Sequence, residues 1–159
     1  MEKVIIKFDG KFYLEKEFYD SIGKIGKINE KIYLEPEEVL YILEKEWGLV
    51  DFNGNKLNKR EFLEKFLERI NYKLYLVLKD IRDLGYYFDI YDGKIILHER
   101  GFRNKPIYLI YPVFENEILN WKKILDLLEE AKKINCELLL GIIDFEYKIV
   151  YYKISEKKF

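Results

Sequence analysis

One cysteine, Cys136, and one histidine, His98, are the whole supply of soft metal ligands in this 159-residue chain. A lone cysteine excludes an intramolecular disulfide framework and a four-cysteine zinc site, and a lone histidine leaves little for a histidine-based centre. No metal and no other cofactor is expected. Neither sign of charge is in excess: 28 basic and 29 acidic side chains give a formal net charge of -1. No global positive field marks a nucleic-acid binder, so any RNA contact must come from a local patch or from a partner. Long apolar runs are missing as well. The opening MEKVIIKFDG is too short an apolar run for a signal peptide, and nothing approaches the roughly 20 apolar residues of a membrane span. A soluble, cytoplasmic protein with no membrane partner is expected. Thr and Gln are absent and Ala131 is the only alanine, a bias shared by heat-adapted proteins and by products of AT-rich genomes.

What is present is a core. With 49% hydrophobic and 17% aromatic residues, the chain can bury one large domain or two small ones. Residues 4–34 alternate short apolar runs with Asp9-Gly10, Gly23, Gly26 and Asn29, which reads as small strands joined by turns. Pro36 then stands where a helix begins, Val39, Leu40, Ile42, Leu43 and Trp47 recur at helical spacing, and Gly48 reads as its stop. After a turn at Asn53-Gly54, Asn58 and Glu61 have capping-box spacing ahead of Phe62, Leu63, Phe66, Leu67 and Ile70. Helical periodicity resumes at Leu74, Val77, Leu78, Ile81 and Leu84, with Gly85 as its end.

"YYFDIYDGKIILHE" is a hairpin around Asp92-Gly93. "IYLIYPV" is strand-like, and Asn116 reads as the start of a long helix whose apolar face carries Trp121, Ile124, Leu125, Leu128 and Ala131. "ELLLGIID" and "KIVYYKI" finish as two strands around a turn near Phe145 to Tyr147. The expected class is α+β (mixed α/β): a small N-terminal α+β domain over 1–70, then a domain over 72–159 with a mixed sheet and flanking helices.

"YLVLKDIRDLGYYFDIY", "LHERG", "KPIYLIYPVFENE" and "LLLGIIDFEYKIVYYKI", in that order and spacing, resemble the C-terminal domain of the archaeal tRNA-splicing endonucleases (tRNA-intron endonucleases). The resemblance runs over residues 72–154, and the N-terminal part is similar mainly in layout. Catalytic members use a metal-free Tyr, His, Lys triad: tyrosine takes the ribose 2′-OH proton, histidine protonates the leaving 5′ oxygen, and lysine stabilises the phosphorane-like transition state. The resemblance puts His98 at the tyrosine position, Lys105 at the histidine position and Cys136, beside Glu137, at the lysine position. All three have changed chemical type. Glu129 stands where a helix arginine holds a splayed bulge base.

The resemblance therefore implies a non-catalytic, structural subunit of a heteromeric endonuclease. Its partners would be a separate catalytic chain, in an (αβ)2 heterotetramer, and precursor tRNA with a bulge-helix-bulge. It also implies that Glu115 and Glu117 form an acidic loop docking into a partner, and that the last strand, with Ile149, Val150, Tyr151 and Tyr152, pairs around a two-fold axis. Arg100, Arg103 and Lys105 are the candidate phosphate contacts. The competing expectation is a self-sufficient homo-oligomeric endonuclease with a rearranged site using His98 and Lys105, and a third is an RNA-binding or scaffold protein outside splicing.

Overall fold

In the computed structural model, which describes residues 2–157, the alternating start of the chain folds as β1 (Val4–Phe8), β2 (Phe12–Leu14), β3 (Lys27–Asn29) and β4 (Lys31–Leu34). Helix α1 (Pro36–Glu44) follows, then β5 (Gly48–Phe52), β6 (Asn55–Leu57) and α2 (Lys59–Phe66). These strands make one sheet in the order β3-β4-β2-β1-β5-β6, parallel only between β1 and β5. Pro36 begins α1 as expected. The α2 capping box is also present: Asn58 Oδ1 accepts the Glu61 N–H at 3.0 Å and Glu61 Oε1 accepts the Asn58 N–H at 3.1 Å. Gly48 is not the helix stop. The left-handed residue after α1 is Glu46, at φ 61°, and Gly48 opens β5, where a Cβ would stand 2.9 Å from a Val4 side-chain carbon. Phe12, Phe62 and Phe66 interlock on the buried face, with centroids 5.0 to 5.6 Å apart.

Helix α3 (Tyr72–Asp83) leads to β7 (Phe88–Tyr91), β8 (Lys94–His98), β9 (Pro106–Phe114), α4 (Trp121–Lys133), β10 (Glu137–Ile143) and β11 (Ile149–Ile154). The chain divides into two units, Met1–Tyr75 and Leu76–Phe159, each with its own mixed sheet, so the α+β class is borne out. The second sheet has the order β11-β10-β9-β8-β7 and is parallel only between β9 and β10. Asp92 and Gly93 both take positive φ, the geometry of a two-residue hairpin turn that matches strand twist. One face packs on α4 through Leu109, Leu127, Ala131 and Leu138. The other meets α3, where Val77 approaches Gly141 and the Tyr151 hydroxyl donates to Asp80 at 2.6 Å.

Two features of α4 differ from the sequence reading. The helix is capped by Asn120, whose Oδ1 accepts the Lys123 N–H at 2.8 Å, and not by Asn116. Glu117 turns back onto Phe114, and that local turn delays the helix by one turn. The buried stripe is Leu127 and Ala131, with Ile124 half-buried beside them. At 100° per residue Trp121 lies about 100° and Leu125 about 140° round from it, and both are exposed. Among the described residues no helix is long and apolar enough to cross a membrane.

Candidate functional site

Strand direction gathers His98, Lys105 and Cys136, the residues that the resemblance singles out. Strand β8 runs antiparallel to β9, and β9 runs parallel to β10, so the end of β8 and the starts of β9 and β10 share one end of the sheet. His98 closes β8, Lys105 precedes β9 and Cys136 precedes β10. The register slips by one residue between Leu97 and His98, where His98 pairs with Pro106 and Ile107 is passed over. Such a bulge re-aims a side chain at the rim of a sheet.

His98 is 1% exposed. Its Nδ1 accepts the backbone N–H of Lys105 at 2.9 Å, and its Nε2 lies 2.6 Å from Asp89 Oδ2. A nitrogen that accepts an N–H cannot itself carry a proton, so the proton resides on Nε2 and is donated to Asp89. Arg103 completes the cluster with Nη2 at 2.8 Å from Asp89 Oδ1 and Nη1 at 3.3 Å from Oδ2. Burial alone would raise the Asp89 carboxyl. The hydrogen bonds from Arg103 and His98, with the guanidinium charge, outweigh burial and hold it below the ordinary carboxylate range. Because the folded pKa is the lower one, this stabilisation is complete above the unfolded value near 3.8 and is lost as pH falls through the folded value. The stability gap between wild type and Asp89→Asn, measured by urea melts, should be flat above about pH 5 and close below pH 3.8. A constant gap down to pH 2 would remove this assignment.

The other cations here have partners too. Lys105 Nζ is 2.5 Å from Glu99 Oε2 and lies over the Phe102 ring at 4.9 Å. The Arg100 guanidinium lies 4.9 Å from the Tyr86 ring centroid. Glu137 pairs with Lys153 at 2.9 Å. Cys136 is half-buried against the Leu109 and Leu138 core, and burial raises its thiol pKa, which disfavours the reactive thiolate. Glu129 is exposed on α4.

The opposite end of the sheet holds the glutamate pair. Glu115 Oε1 accepts the Phe145 N–H at 3.2 Å and the Glu115 N–H donates to Ile143 at 2.9 Å, which ties the loop after β9 to the β10–β11 turn. Glu117 Oε1 accepts the Phe114 N–H at 3.0 Å. Around them Ile118, Trp121 and Phe145 are 96%, 79% and 78% exposed. Strand β11 is a sheet edge, with Val150 and Tyr152 exposed and Ile149 and Tyr151 half-buried.

Asp89, the strongest partner of His98, was not among the sequence candidates. The signal was available: a two-residue turn at 92–93 pairs 91 with 94 and hence 89 with 96, which puts Asp89 on the His98 face one step along. Glu99 was readable only as part of "HERG".

No family model matches the chain. It is 32% identical over 158 residues to a tRNA-splicing endonuclease of Methanococcus vannielii, covering 88% of each chain. It is 33% identical over 138 residues to one of Nanoarchaeum equitans, covering 76% of this chain and 86% of the relative. A Methanothermobacter thermautotrophicus protein of the same name is 28% identical over 137 residues, with 82% and 81% covered.

Proposed function

The chain belongs to the tRNA-splicing endonuclease family, and on that premise we propose that it is the non-catalytic structural subunit of a heteromeric tRNA-splicing endonuclease. The complex removes introns from precursor tRNA at bulge-helix-bulge motifs and leaves 2′,3′-cyclic phosphate and 5′-OH ends. A partner chain in an (αβ)2 assembly does the chemistry.

The observation that carries the reading is the closed hydrogen bonding of His98. Transesterification at ribose needs a base for the 2′-OH, an acid for the leaving oxygen and a cation for the phosphorane. At the tyrosine position stands a buried imidazole with both ring nitrogens committed, to Lys105 and Asp89. At the histidine position stands a lysine held by Glu99. At the lysine position stands a half-buried neutral thiol. None of these can take the role its position has in a catalytic member. What this chain contributes instead is an ordered sheet end, an acidic loop and an edge strand that orient the catalytic chain.

The test is cleavage of a bulge-helix-bulge RNA in EDTA by this chain, by a family member carrying the Tyr, His and Lys, and by the two mixed. Activity confined to the mixture is the expected result. Cleavage by this chain alone would overturn the reading and make His98 a base after all.

A further inference from the structure

A single row of side chains crosses every strand of the N-terminal sheet on its outward face. The register sets Lys27 beside Tyr33, Tyr33 beside Tyr13, Tyr13 beside Lys7, Lys7 beside Asp51, and Asp51 beside Lys56. Residues of the opposite parity form the core: Ile6, Phe12, Leu14, Ile32, Leu34 and Val50 are buried. Tyr13 and Tyr33 are only half-buried, and Lys7, Lys27 and Lys56 are exposed. The Lys31 ammonium lies 4.7 Å from the Tyr13 ring centroid, and that of Lys11 lies 5.9 Å from Tyr33. Two nearby carboxylates are engaged: Glu15 meets Lys31 at 3.8 Å and Asp51 Oδ1 accepts the Gly54 N–H at 3.1 Å.

Two aromatic faces on adjacent strands, ringed by lysines on an open sheet, are what single-stranded RNA requires. Unstacked bases settle on aromatic rings and phosphates find cations, without reading of sequence. A chain of net charge -1 has no global positive field, so its own contacts to RNA come from local patches. We infer that this face binds a single-stranded segment of RNA, stacking bases on Tyr13 and Tyr33 and placing phosphates on Lys7, Lys11, Lys27 and Lys31. The choice of RNA as ligand rests on the proposed role in a tRNA-processing complex.

The test is fluorescence anisotropy of end-labelled U12 RNA with the full chain alone. Tyr13→Leu with Tyr33→Leu should weaken binding about tenfold or more, since stacking is lost at two bases. Tyr13→Phe with Tyr33→Phe should bind as wild type. Lys7→Glu with Lys27→Glu should lower the slope of log affinity against log salt by about 1.4, two phosphate contacts in single-stranded RNA. If the leucine pair fails to fold, the lysine pair decides, because its side chains are exposed. No detectable wild-type binding would overturn the inference, as would unchanged binding in the folded variants. Loss of association with the catalytic chain in the same variants, with RNA binding unchanged, would mark a protein contact and overturn it too. The assay needs no partner, so a failed mixing experiment leaves it intact, and its own failure leaves the subunit reading standing.

Discussion

Glu115→Lys with Glu117→Lys should halve the mass of the assembly formed with the catalytic chain, from heterotetramer to heterodimer, in native mass spectrometry. On the proposed assembly these carboxylates enter a basic site of the partner, and reversing both charges turns attraction into repulsion. Like charges brought together in a desolvated interface cost several kcal/mol, enough for a loss of assembly of a hundredfold or more. The loop is already built for presentation: each glutamate spends one oxygen on a backbone N–H, Phe145 for Glu115 and Phe114 for Glu117. Reversal also removes both internal bonds, so Glu115→Gln with Glu117→Gln is the control. It keeps an acceptor for each amide and removes only charge, and it should weaken the tetramer less. An unchanged mass in the lysine variant would exclude the loop from the interface.

The sequence made the frame of this molecule legible, and the reasons are physical. Pro36, the Asn58 and Glu61 pair and the Asp92-Gly93 turn are local devices whose geometry is fixed within four residues, and each stands where it was read. The failures are places where local signals compete. Asn116 reads as the cap, but the back-turn of Glu117 onto Phe114 moves the helix start to Asn120. Trp121 and Leu125 have helical spacing with Ile124 and Leu128, but α4 turns the Leu127 and Ala131 side to the sheet and leaves Trp121 and Leu125 exposed. Periodicity shows which residues are apolar and not which of them find cover. The surroundings of the candidate residues were not legible. The resemblance singles out His98, Lys105 and Cys136, and the strand directions bring them to one sheet end, whereas the hydrogen bonds that close His98 come from Asp89, nine residues upstream, and from a backbone amide.

Those bonds separate a structural histidine from a catalytic one by two measurements, of which a structural role moves only the first. His98→Ala removes the acceptor for the Lys105 N–H, the donor to Asp89 and a fully buried ring. An orphaned, partly buried amide together with the cavity left by the ring costs about 3 kcal/mol, so the melting midpoint should fall markedly. Loop 99–105 loosens with it, because the Glu99 N–H to Lys105 carbonyl bond of 2.8 Å closes the same turn. Cleavage by the reconstituted complex, assayed by single turnover well below the new midpoint, should nevertheless stay within about twofold of wild type. Removing a general base lowers the chemical step by about 10²- to 10⁴-fold, so the two roles differ by far more than experimental scatter. Asp89→Asn serves as the intermediate case. It keeps an acceptor for the Nε2 proton but removes the charge that Arg103 holds, so it should lower stability less than His98→Ala and leave the single-turnover rate equally untouched. A rate loss in both variants, at temperatures where both are folded, would return His98 and Asp89 to the chemistry and make this chain an endonuclease in its own right.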